Sequence, residues 1–237
     1  MTAQINTLIK QSHANWDMWN DIGASVRSDL VIRWADELAE DPSLGVMAAK
    51  MAKYQAKQAL SLIGEEKLMP GPTGETNELY AAGRGLFVMT ASEALSVAAV
   101  VGQLATALVA GNTVIISLPE THTELASKLQ STLLKAGFPK SVVLLADFSN
   151  VKALIEDTST AGVAFVGNAA EAQEINRQLS QRSGLLAQLI AETDLNNLTA
   201  VTDSHFVLRF ITEKTRTINI TAVGGNATLL ELGSGDH

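Results

Sequence analysis

The spacing of apolar positions changes twice along the chain. In the first sixty-odd residues it is helical: Val31, Trp34, Ala35 and Leu38 fall at i, i+3, i+4 and i+7, and Ala52, Ala56, Ala59, Leu60 and Ile63 form a second stripe. Pro42 separates these two helices, and Asp41 or Ser43 is placed to cap the second. Trp16 and Trp19 lie one turn apart on the first helix, spaced to pack against the second helix or to form an interface. The stretch MPGPTGE at 69–75 reads as a turn-rich connection, with Glu65, Glu66 and Glu75 as its solvated charges.

From Leu86 onward, short apolar runs alternate with amphipathic helices. Candidate strands cover 86–90, 113–117, 141–146, 162–166 and 186–191, and one intervening helix carries Leu125, Leu129, Leu133 and Ala136 on a single face. Strands apolar on both sides and joined by helices predict a parallel sheet covered on both faces. Right-handed crossovers make it a doubly wound α/β sheet. The tail differs again. Apolar and polar residues alternate from Thr217 to Ala222, followed by Gly224-Gly225-Asn226 and a second run, Ala227 to Leu230. This predicts a two-stranded ribbon, which is marginal alone and should pack on another surface, such as a second subunit. The expected organisation is N-terminal helices over 1–68 packing on the core, an α/β unit over 69–204, and a β-flap over 205–237.

Composition narrows the chemistry. The 237 residues are 46% hydrophobic, enough for a substantial core, and contain no cysteine, which excludes disulfides, thiolate metal sites and cysteine catalysis. The net charge is −8 with 17 scattered Lys and Arg, so no basic stripe invites nucleic acid. The polar start MTAQINTLIKQSHANWD lacks a signal-peptide core, and the apolar helix over 94–110 carries Ser96, Gly102, Gln103 and Thr106. It is read as a buried helix, and the protein as cytoplasmic with no membrane partner. His13, His122, His205 and His237 show no metal-ligand spacing and are expected at the surface or at caps.

Six stretches in order carry a resemblance: PGPTGETNELYAAGRGLFV (70–88), GQLATALVAGNTVI (102–115), KAGFPKSVVLLA (135–146), FVGNAAEA (165–172), LIAETD (189–194) and RTINITAVGGNATLLELG (216–233). Together they resemble the aldehyde dehydrogenase superfamily, and more narrowly the 1-pyrroline-5-carboxylate (glutamate semialdehyde) dehydrogenase region of the proline-utilisation enzyme PutA. The last stretch is similar to the family's C-terminal oligomerisation flap.

The resemblance implies an altered site. The family's P-W-N motif falls on Ser92-Glu93-Ala94, so Ala94 stands where an asparagine donates to the oxyanion. Loss of one such donor costs about 10²–10³ in rate, and loss of the cysteine removes the covalent route. The K-P-A-E motif aligns with Ser117-Leu118-Pro119-Glu120, placing Ser117 where the ribose-binding lysine stands. In the pyrophosphate loop Gly167 is kept and Asn168 replaces a serine, either as an N-cap or as part of a helix start open to an anion. Glu192 stands at the general-base position, but the two glycines after it are Asp194 and Leu195, which predicts a reshaped backbone and a structural or vestigial carboxylate rather than a catalytic one. Only residues 196–208 fill the interval in which the family places its catalytic domain.

The expectation is a non-catalytic relative in proline catabolism, a free-standing counterpart of the degenerate C-terminal domain of long PutA proteins, acting in assembly or covering an active site. Its partners would be a second copy through the flap or a proline-utilisation enzyme, and no cofactor is expected. The alternatives are an NAD(P)-binding oxidoreductase or sensor that retains the cleft, and a plain homodimeric scaffold.

Overall fold

The computed structural model describes residues 3–219. Three helices come first: α1 (Ala3–Asp21), α2 (Ala24–Glu40) and α3 (Val46–Ile63). Then follow β1 (Lys67–Met69), β2 (Glu75–Gly83), β3 (Leu86–Ala91), α4 (Val97–Val109), β4 (Thr113–Ile116), α5 (Thr123–Lys135), β5 (Val143–Leu145), α6 (Val151–Glu156), β6 (Thr160–Val166), α7 (Ala169–Ser180), β7 (Gln188–Glu192) and β8 (Ile211–Asn219).

Strands β3 to β7 form one parallel sheet in the order β5-β4-β3-β6-β7, as the doubly wound pattern predicts. Its two faces feed different clusters. Phe87, Met89, Ile116, Ala164 and Ile190 join the side chains of α2 to α5, while Leu86, Val88, Ile115, Leu144 and Val163 join Ile5 and Ile9 of α1 with residues of α6 and α7. Helix α4 is buried along nearly its whole length, between α3 and the sheet. Its apolar character is thus that of a core helix, and among the described residues no helix is long and apolar enough to cross a membrane.

Helix α1 is locked to the core by its tryptophan. Trp19 is fully buried, its ring 5.4 Å from Phe138, and its indole N–H donates to Leu108 O at 3.2 Å. It therefore packs on the C-terminal part of α4. Arg27 of α2 closes the same corner, donating to Val109 O at 2.8 Å and to Trp19 O and Asn20 O at 3.1 and 2.6 Å. Burial lowers its pKa to about 10, so it stays charged at neutral pH.

The structure corrects two readings and adds a strand to a third. Neither Asp41 nor Ser43 caps α3: Gly45 is its N-cap, while Asp41 ends α2 and its Oδ1 accepts from the Ser43 N–H at 2.9 Å. The turn-rich stretch 69–75 is the tip of a hairpin between β1 and β2, and β2 was not foreseen. The ribbon strand starts at Ile211, not Thr217, and pairs antiparallel with β2 along its length, from Gly83↔Ile211 to Glu75↔Asn219. Arg216 fixes this pairing, reaching Glu78 at 2.8 Å and Glu66 at 2.9 Å, so Glu66 is a pairing partner as well as a solvated charge. The run 227–230 and His237 lie outside the described residues.

Candidate functional site

In the sheet order, β3 has β4 on one side and β6 on the other, so the chain reverses its winding direction between β3 and β6. In open α/β sheets ligands bind in the crevice outside the carboxyl ends of the strands at such a switch point. Here that crevice is bounded by Ser92, just past β3, and by Gly167 and Asn168, just past β6.

Asn168 is the N-cap of α7, its Oδ1 accepting from the Glu171 N–H at 2.9 Å. Ser92 lies across the start of the same helix. Its hydroxyl accepts from Asn168 N–H at 3.1 Å and donates to Glu171 Oε2 at 2.8 Å. The other Glu171 oxygen accepts from Asn168 Nδ2 at 2.6 Å. Gly167 is obligatory here because an added Cβ would lie 2.0 Å from Ser92 Oγ. Gly167 and Asn168, expected from the sequence at the pyrophosphate loop, lie beside the crevice, and Glu171 joins them there without having been singled out. The only signal was the N-x-x-E spacing of a capping box.

Two clefts flank this point. One, of about 370 Å³, opens past the ends of β4 and β5 and is lined by Gln4, Leu118, Glu120, Ser127, Asp147 and Phe148 among others. Glu120 is exposed on its rim. Ser117 is fully buried behind it, its hydroxyl donating to Asp147 O at 3.1 Å, so that hydroxyl braces the backbone. The other, about 160 Å³, lies between α6 and α7 and is mostly apolar, with Val151, Ile155, Phe165 and Ile175 beside Lys152 and Glu171.

Ala94 is exposed in the β3–α4 loop, and its methyl offers no donor. That loop is tied to the segment before α5, where a ring nitrogen of His122 meets Glu93 O at 2.8 Å and Thr121 bonds the Glu93 carboxylate. His122 thus bridges two loops. His13 and His205 are exposed, and among the described residues no cluster of His, Asp or Glu is arranged to hold a metal ion.

Glu192 ends β7 and is 1% exposed. Its Oε1 accepts from Asp194 N–H at 2.9 Å, and its Oε2 from Ala200 and Val201 N–H at 2.8 and 3.0 Å. Asp194 in turn accepts from Asn197 and Asn196 N–H, and the Asn197 N–H first, then its side-chain amide, hold the Asp194 carboxyl below its ordinary range. The two carboxylates fold 194–201 into a turn that passes into the helical segment Phe206–Phe210 and then β8. Val201, Phe206, Val207 and Phe210 are buried in the core, so the chain passes from β7 to the flap strand without leaving the domain.

Residues 45–206 match the aldehyde dehydrogenase family. The chain belongs to that family. Within it the chain is related to PutA. It is 31% identical over 175 residues to the bifunctional protein PutA of Rhizobium meliloti, a match covering 73% of this chain and 13% of that protein. A solved proline utilization A structure from Bradyrhizobium japonicum superposes with a TM-score of 0.70 at 31% identity, covering 80% of this chain and 22% of that one. The chain thus spans less than a quarter of each PutA chain. PnpE, solved in complex with nicotinamide adenine dinucleotide, superposes with a TM-score of 0.69 at 19% identity over 81% of this chain and 43% of its own, a likeness of fold alone. These matches agree with the parallel five-stranded sheet and with the family resemblance of the quoted motifs.

Proposed function

We propose that this chain is a non-catalytic aldehyde dehydrogenase family protein of proline catabolism that acts by assembly, joining a second copy or a proline-utilisation enzyme through its flap and covering a site there. The observation that carries this reading is the passage from β7 to β8. Residues 193–210 join β7 directly to the flap strand, anchored in the core at Val201, Phe206, Val207 and Phe210, with no insertion to hold a nucleophile. Glu192, at the base position, already accepts three backbone N–H bonds in that passage. The side chains of β8 are exposed from Thr212 to Ile218, and among the described residues its sheet neighbour is β2. An exposed strand edge is a ready pairing surface.

The test has two parts. With glutamate semialdehyde and NAD, the pure chain should give no NADH above background; production that tracks the protein through purification would overturn the non-catalytic reading. In sedimentation at micromolar concentration the chain should form a homodimer or associate with a PutA-type enzyme from the same cell. A monomer that ignores the enzyme would overturn the assembly role.

The alternative, an NAD(P)-binding oxidoreductase or sensor, draws on the retained β6–α7 turn and its flanking clefts. It predicts a rise of roughly 5–10 °C in melting temperature at an NAD concentration about 100 times its dissociation constant. The expected result for the wild-type chain is no shift at millimolar NAD.

A further inference from the structure

The residues at the switch point do not fit a dinucleotide's pyrophosphate, and the misfit traces to one side chain. An anion at a helix start is held by the free N–H groups of the first turn and favoured by the helix dipole. At α7 two of those groups already have partners: Asn168 N–H donates to Ser92 Oγ at 3.1 Å, and Glu171 N–H to Asn168 Oδ1 at 2.9 Å. In an ordinary capping box the glutamate would reach back to the N-cap N–H. Here Ser92 takes that N–H, and the Glu171 carboxylate lies over the mouth of the helix, bonded to the Ser92 hydroxyl at 2.8 Å and to Asn168 Nδ2 at 2.6 Å. A carboxylate thus sits where an incoming phosphate would sit. Ser92 packs closely on Gly167, where an added Cβ would lie 2.0 Å from its Oγ. In the adjoining crevice between α6 and α7 the one lining cation, Lys152, is accompanied by Glu171 and Glu174 and pairs with Glu156 at 3.8 Å.

We propose that Glu171 is the built-in occupant of the anion position at the switch point, and that it excludes phosphate-bearing ligands from a crevice whose remaining walls are mostly apolar. The inference is separate from the assembly role: a chain that failed to associate would still carry this internal anion. It also separates two causes of lost cofactor binding. A missing cation, such as a lysine at Ser117, weakens attraction, whereas Glu171 adds repulsion and fills the space.

NAD is titrated calorimetrically into the wild-type chain and into Glu171→Ala and Glu171→Gln, with adenosine as the phosphate-free control. NAD should bind Glu171→Ala about tenfold or more tightly than wild type, since like charges a few ångströms apart no longer oppose one another. Adenosine affinity should agree within about twofold in all three proteins. Glu171→Gln keeps the length of the side chain and one acceptor oxygen for Asn168 Nδ2, so a gain in NAD affinity there without a gain for adenosine assigns the effect to charge, and this variant carries the test if the alanine variant does not fold. Equal NAD affinity in wild type and both variants, or no measurable NAD binding to any of them, would overturn the proposal. So would an equal gain for adenosine, which would assign the change to the shape of the crevice.

Discussion

Replacing Glu192 with alanine should destabilise the protein by about 3–5 kcal/mol, because three buried backbone N–H groups lose a charged acceptor at once. For a chain of this length that lowers the melting temperature by on the order of 10 °C. Glu192→Gln should recover only part of this. Its one carbonyl oxygen can serve one side of the former carboxylate, and its NH2 then faces N–H groups on the other. The prediction separates two roles that the position alone does not. A general base sits in a solvent-reachable pocket, and removing it lowers the rate while leaving the fold intact or more stable. A strut that organises residues 194–201 does the reverse. Urea unfolding of the wild type and both variants decides between them, and a loss below about 1 kcal/mol for the alanine variant would remove the structural role.

The contrast between Glu192 and Glu171 shows what was legible in the sequence and what was not. The strands of the parallel sheet were readable because their residues are apolar on both faces: all six of β3 and all four of β4 are buried. Their ends were less so. The strand expected from 186 begins at Gln188, and Leu186 is exposed, so an apolar letter there marked a loop. Strand β2 was missed because ETNELYAAG is polar and half-buried, and its partner lies at the far end of the chain. Local pattern carries no trace of such a pairing.

The site followed the same rule. Gly167 and Asn168 could be placed because a strand, a glycine and a capping residue are adjacent in sequence. That Glu171 meets Ser92, 79 positions away, is a product of packing across the switch point. Glu192 stood out as a misfit before its altered neighbours, Asp194 and Leu195. Its acceptor role became visible only once the turn brought Ala200 and Val201 back to it.

The second large effect is expected at Asn112, in the GN turn between α4 and β4. The turn was plain in the sequence, and its geometry is as the letters suggest: Gly111 has φ +94, a backbone conformation that side-chain-bearing residues rarely adopt. The asparagine does more than follow the glycine. It is fully buried, and all four of its hydrogen-bonding positions are filled. Oδ1 accepts from Arg84 and Gly85 N–H at 2.6 and 3.1 Å, fixing the turn from β2 into β3. Nδ2 donates to Ala107 O at 3.1 Å, near the end of α4, and to Phe210 O at 2.9 Å, the residue before the flap strand. One amide therefore ties the sheet, the central helix and the root of the flap.

Asn112→Ala should cost about 3–5 kcal/mol, since Arg84 N–H, Gly85 N–H and Phe210 O lose their amide partner, while Ala107 O keeps only the backbone N–H of residue 112 at 3.0 Å. Asn112→Asp is the more informative change. It keeps the acceptor toward Arg84 and Gly85 but sets a second oxygen against the carbonyls of Ala107 and Phe210. Its loss should therefore fall on the flap side. In hydrogen exchange the amides of β8 should open faster relative to those of β3. Uniform acceleration across both strands would show that Asn112 supports the whole fold and gives the flap no separate anchorage. Selective release of β8 would show that the turn between α4 and β4 sets how firmly β8 is held against β2.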